Sequence, residues 1–316
     1  MIQFKSLFRN FRTILKSTFA AWYAADPFRQ SAIVAYYAVF SIPALLVIII
    51  ACAGFAFGEE AVRGEISRQI SSVMGKETSL QIQDMIAKAG SNKGSVLATI
   101  ISVLTLILGS TGVFGQLQVS LNQIWEVKVV AKKKWLKTVK DRLFSFGLVI
   151  SIAFLLMISL MLTAVLTIMG VWIQKHLPDF ILYIFELINF LLSFAVEAVL
   201  FALMFKILPD AKIRMRDVYI GALLTAFLFT IGKSLLGIYF GKAHPDSTYG
   251  AAGSIILIML WVSYSCMIVF FGAEFTKQFS IYHGHNIEPG KDAVRIDLPE
   301  AEKLVIEKKL AVKAVK

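Results

Sequence analysis

Three ionisable side chains stand inside otherwise uncharged apolar runs: Glu186 and Glu197 between Phe180 and Phe205, and Lys233 between Val218 and Gly241. A charge at the centre of a bilayer costs about 2.5 to 3.5 kcal/mol on insertion scales, so each of the three needs a partner or water. Glu197 precedes Lys206 by nine residues and Lys233 precedes Lys242 by nine, which puts them each about 14 Å from opposite ends of their runs. Continuous helices would then keep them apart. Glu186 is the better match in level, and the expectation is a contact or shared cavity between Glu186 and Lys233. The plainer account is a lysine that snorkels and a carboxylate wetted at the interface. Glu197 is expected to face the bundle interior, either as the titrating group of a proton- or cation-coupled site or as a neutral acid hydrogen-bonded to a neighbouring helix. Glu274 ends an uncharged run and is followed by Lys277, so it reads first as a structural anchor and second as a functional group.

Transporters bind solutes where helices are discontinuous near the midplane, because freed backbone groups line a cavity there. Two breaks are on offer. Pro43 lies mid-run in Ser41-Ile42-Pro43 and should kink or break its helix, and Gly109, Gly112 and Gly115 punctuate a second run. With Tyr36, Tyr37, Ser41, Gln118 and Asn122 these breaks would form a polar pocket. The alternative is that the proline only bends a helix and the glycines only permit close packing. Gly250, Gly253, Trp261 and Gly272 alternate small and aromatic residues along the last run and belong to such a packing surface.

Catalytic signals are poor. His283 and His285 have no carboxylate or cysteine partners in their segment, and His176 and His244 fall in separate loops, so no metal site is expected. No phosphate-binding loop of the G-x-x-x-x-G-K-S/T type occurs, and the loops hold no acidic or histidine cluster suited to a ribonuclease. Cys52 and Cys266 both lie in apolar runs and imply no disulfide framework. The chain is read as no enzyme and as needing no cofactor.

The elements that must position these residues are membrane helices. With 316 residues, 57% of them hydrophobic, and a mean hydropathy of +0.72, the chain has too little polar surface to coat a soluble globule. The expected fold is all-α, with six transmembrane helices at 30–58, 94–125, 143–174, 180–205, 218–241 and 251–274, making up a membrane domain over 30–279. Residues 1–29 place Phe4, Leu7, Phe8, Phe11, Leu15, Phe19 and Trp22 on one stripe with basic residues elsewhere, which predicts an interfacial amphipathic helix on an anionic leaflet. The polar segment 59–93 reads as two short amphipathic helices in the first extracytoplasmic loop, and 280–316 as a cytoplasmic tail, with a short helix or disorder near 298–312.

Of the 32 Lys and Arg residues, alternate segments hold 24 on one side of the membrane against 7 on the other, Lys233 lying within a run. That bias marks the cytoplasmic side and places both termini there. The net charge of +11 is thereby explained by topology and anionic lipid, and no nucleic-acid partner is expected.

An ordered set of short motifs carries a resemblance. Ala35-Tyr36-Tyr37-Ala38-Val39-Phe40-Ser41-Ile42-Pro43, Gly112-Val113-Phe114 with Leu117-Gln118 and Asn122-Gln123-Ile124-Trp125, Leu208-Pro209-Asp210, Gly221-Ala222, Tyr249-Gly250-Ala251, Trp261 and Gly272-Ala273-Glu274 together resemble the YihY/virulence factor BrkB family over roughly residues 25–280. The resemblance implies a bacterial inner-membrane protein with six spanning helices, from a family formerly mislabelled ribonuclease BN, and it brings a transport role as an expectation. Two readings follow. One is a permease or exporter of an unknown solute or ion, with Glu197, Lys233 and the broken first two helices lining its path. The other is a non-transporting scaffold or envelope factor whose segment 59–93 and basic inner surface bind partners or lipid.

Overall fold

The computed structural model describes residues 2–74, 79–80, 83, 112–129, 179–243, 253–290 and 293–296. Its helices are α1 (Ile2–Ala24), α2 (Pro27–Phe57), α3 (Glu59–Met74), α4 (112–124), α5 (Asp179–Ile207), α6 (Met215–Ala243) and α7 (Gly253–Tyr282). Four short strands, β1 (Val127–Val129), β2 (Ala211–Lys212), β3 (Glu288–Pro289) and β4 (Ala293–Arg295), make two antiparallel pairs, β1 with β4 and β2 with β3.

The expectation of six spans is corrected. Among the described residues three helical stretches are long and apolar enough to cross a membrane: Leu187–Ile207, Met215–Phe240 and Ile255–Tyr282. An uncharged run is not the same thing as a spanning helix. Of the run 94–125, residues 112–124 form α4, and 94–111 lie outside the described residues. The run 143–174 lies outside the described residues, as do 84–93 of the first polar segment and 298–312 of the tail.

Helix boundaries follow local chemistry. Asp26 takes a left-handed conformation (φ 53°) and Pro27 opens α2 at its first turn, where a missing N–H costs nothing. Gly58, at φ 86°, turns the chain from α2 into α3, and Glu59 and Glu60 occupy the first turn of α3, favourable against the positive end of its dipole. α2 is helical without interruption through Pro43, so the break expected there is not observed.

α7 is the centre of the bundle, packing against α1, α2 and α6, while α5 packs on α6, and α3 on α2 and α6. One apolar core joins α2, α4, α5, α6 and α7 through Val34, Leu121, Phe205, Val218 and Phe270, and a second gathers Ile50, Val62, Ile66, Phe240 and Leu257 around α3. The outer face of α6 exposes Tyr219, Leu223, Phe227, Ile231 and Leu235, a stripe at every fourth residue that suits lipid.

α6 and α7 cross by a reciprocal fit. Thr225 donates to the Gly221 carbonyl at 2.7 Å and Thr276 to the Gly272 carbonyl at 2.8 Å. A Cβ on Gly221 would strike the Thr276 hydroxyl, and one on Gly272 the Thr225 hydroxyl. Each threonine thus seats over the other helix's glycine, in antiparallel order, with both hydroxyls satisfied inside their own helix. Gly272 therefore acts in close packing at this crossing.

Candidate functional site

The intramembrane charges meet. Lys233 Nζ on α6 lies 2.5 Å from Glu197 Oε1 on α5, and Thr230 donates to Glu197 Oε2 at 2.8 Å. This overturns the expectation that Glu197 stays apart from Lys233, while the expected contact of Lys233 with Glu186 falls on a side chain outside the described ones. Glu186 belongs to α5, but its side chain lies outside the description. Counting depth along the axes misleads for two reasons. Each helix has 29 residues, about 43 Å, so it must tilt to fit a bilayer. Side chains also lean toward the N-terminus of their own helix, so Glu197 and Lys233, on antiparallel neighbours, lean toward each other.

The pocket expected from Tyr36, Tyr37, Ser41, Gln118 and Asn122 divides into separate contacts. Tyr36 is exposed and stacks edge-on with Tyr37 and Phe40. Tyr37 lies against Gly112, where any Cβ would meet its ring, and Ser41 bonds back to the Tyr37 carbonyl at 2.7 Å. Gln118 and Asn122 turn away to the loop between α5 and α6. Asn122 Nδ2 and Gln118 Nε2 donate to Asp210 Oδ2 at 2.9 and 3.0 Å, while the Asp210 N–H donates to Asn122 Oδ1 at 2.8 Å. Among the described residues nothing lies within 4 Å of where a Cβ on Gly115 would stand, Gly253 begins α7, and Trp261 is half-buried against Phe229. Gly109 and Gly250 lie outside the described residues.

A different polar group forms on the opposite stripe of α4. Ser120 donates to Gln30 Oε1 at 2.6 Å, Gln116 Nε2 to the same oxygen at 3.2 Å, and Gln30 Nε2 to Gln123 Oε1 at 2.5 Å. Gln30, Ser120 and Gln123 line a cleft with Trp22, Pro27, Ile124, Phe270 and Glu274. It has room for about one water-sized particle. Trp22 is fixed by its indole N–H, which donates to the Met267 carbonyl at 3.2 Å, and by its edge-on contact with Phe271.

Glu274 is 2% exposed. Gln278 Nε2 donates to its Oε1 at 2.9 Å, and Lys277 Nζ is 3.6 Å from that same oxygen. Lys277 is shared, because its Nζ also lies 3.0 Å from Glu126 Oε1. Glu126 holds a left-handed turn (φ 56°) between α4 and β1, and Arg295 of β4 approaches its other oxygen at 4.0 Å.

Beyond α7 the chain turns back as a strap. Asp217, fully buried in the first turn of α6, receives His285 Nδ1 at 2.9 Å, and β3 and β4 then pair with β2 and β1 in turn. His285 is therefore a partner for a buried carboxylate. Among the described residues no group of three or more His, Cys, Asp or Glu could hold a metal.

The cleft was legible only in part. Gln116, Ser120 and Gln123 recur at helical spacing on one side of α4, and Gln118 and Asn122 on another, which could have marked two polar stripes. Nothing local links Gln30 to the first stripe or His285 to Asp217, since both contacts cross long stretches of chain.

A family model described as "Virulence factor BrkB" matches residues 18–297. The chain is similar to a "UPF0761 membrane protein" of Tolumonas auensis, 29% identical over 58% of this chain and 58% of that protein. A protein of the same description from Glaesserella parasuis is 25% identical over 56% of this chain and 60% of its own length, and one from Verminephrobacter eiseniae 28% over 50% and 36%. The matched part spans less than two thirds of these curated relatives. No solved structure matches the chain.

Proposed function

This chain belongs to the virulence factor BrkB family, a multi-pass membrane protein, and from that premise we propose that it works as a permease or exporter of the bacterial inner membrane. Residues 30–279 make its membrane domain, between an interfacial helix on anionic lipid and a tail that shares the cytoplasm with the N-terminus. The charge bias of 24 Lys and Arg against 7 supports that orientation. The observation that carries the transport reading is the cleft itself. A buried carboxylate, Glu274, two amides and a hydroxyl converge beside Trp22 and Phe270 on a space between membrane helices. Buried polar groups cost free energy unless satisfied, and convergent ones mark binding positions.

The test is flux into proteoliposomes over a broad solute panel, comparing the wild type with Gln30→Leu. That variant removes the amide that Ser120, Gln116 and Gln123 share. A solute or ion whose flux falls in the variant supports the reading, and no protein-dependent flux for any member of the panel sinks it. One observation favours the scaffold alternative: Glu197 and Lys233 saturate each other, as a purely structural pair would.

A further inference from the structure

Two carboxylates beside the cleft share one buried ammonium. Lys277 serves two carboxylates, Glu126 at 3.0 Å and Glu274 at 3.6 Å, and it is 11% exposed, against 33% for Glu126 and 2% for Glu274. Arg295 is 64% exposed and 4.0 Å away, so water screens most of its charge. Glu274, the more buried of the two carboxylates, thus has only a share of Lys277, and a positive charge placed beside it would favour its ionised form.

The geometry says where such a charge would sit. Both donors that reach Glu274 address Oε1, and Oε2 accepts from none among the described residues. Glu274 lines the cleft together with Gln30, Ser120 and Gln123, whose side chains supply neutral oxygen atoms. Hard cations take oxygen ligands, and a divalent ion such as calcium draws on six to eight of them, several charged. One carboxylate and a space of about one water fit a single small ion. Trp22 and Phe270 line the same space. We propose that the cleft between α1, α2, α4 and α7 binds a small monovalent alkali cation, held by the free carboxylate oxygen of Glu274 and the oxygens of Ser120 and Gln123. The ion is the species carried or coupled on the permease reading, and the inference rests on that reading only in giving the site a use.

The experiment reads binding without flux. The purified full chain in detergent is titrated with lithium, sodium or potassium chloride against N-methyl-D-glucamine chloride at constant ionic strength and pH, following tryptophan fluorescence and thermal unfolding. The wild type is expected to respond saturably to at least one alkali ion. Glu274→Gln should weaken that response about tenfold or more. Glu126→Gln leaves Lys277 to Glu274 alone without touching the cleft, and should weaken it too. Glu59→Gln, in an exposed pair on α3, should leave it unchanged. If Glu274→Gln elutes as an aggregate, Glu126→Gln and Ser120→Ala decide the matter. No saturable alkali response, a response to pH alone, or an equal response in folded Glu274→Gln, or in the two deciding variants, overturns the proposal. Retained cation binding with no flux would fail the permease reading alone, and flux with no cation response would fail this inference alone.

Discussion

Among the described residues, two ionic groups stand between helices of the bundle on opposite plans. Between α5 and α6, one carboxylate meets one ammonium, and Thr230 occupies the remaining oxygen of Glu197. At the α4 to α7 contact, two carboxylates share one buried ammonium with Arg295 4.0 Å from Glu126, and one oxygen of Glu274 faces no donor among the described residues. The first group is complete in itself and the second is not. A complete pair fixes two helices in register, whereas an incomplete one beside a cleft has capacity for a ligand. Buried charge by itself is thus a poor guide to a binding site, and the count of charges and donors around it is a better one.

The largest effect should come from breaking the complete pair. Lys233→Met leaves Glu197 without its counter-charge, and removing one partner of a buried pair costs about 3 to 5 kcal/mol. The expected outcome is a lower unfolding midpoint and lower yield, with Glu197→Leu added to Lys233→Met recovering most of the loss. If the single variant is as stable as the wild type, the pair contributes no cohesion. Next comes Gly272→Ala, which drives a methyl into the Thr225 side chain. Overpacking of this kind costs about 1 to 3 kcal/mol. Thr225→Gly in the same chain should restore part of it, measured by thermal unfolding in detergent.

Releasing the strap should matter less. His285→Ala removes the partner of buried Asp217, and an unsatisfied buried acceptor costs about 1 to 3 kcal/mol. Hydrogen exchange should rise over 285–296 while α5 and α6 keep their protection. Uniform loss of protection would mean that the strap is integral to the bundle. Smallest of all is Arg63→Ala on α3, whose pair with Glu59 is exposed. A shift of about 0.5 kcal/mol or less is expected, and a larger one would undo the distinction drawn here between buried and surface pairs.

The sequence made the two ionic groups findable but not their wiring. Glu197 and Lys233 stand out because charge is rare in apolar runs, yet their contact depends on helix tilt and on the lean of side chains, neither of which is written in residue spacing. Glu274 was visible as the end of a run. Its neighbours Gln30 and Ser120 were not, because an uncharged polar residue in an apolar run is common and its partner lies about ninety positions away. Gln118 and Asn122 drew notice as polar residues, but their acceptor is Asp210, in a loop that only the folded chain brings alongside. Pro43 suggested a break because the ring removes a donor, and the helix runs on through it. The short strands after α7 carry almost no local signal, with two or three residues each, and exist because distant segments pair.

Those strands bear on how the molecule can move. The stretch 288–295 is stitched first to the turn between α5 and α6 and then to the exit of α4, and Asp217 anchors it beside the end of α7. Four helix termini are thereby tied into one plate. Helices tied in this way are restrained most at that end, on which the cleft near Glu274 also borders through Lys277 and Glu126.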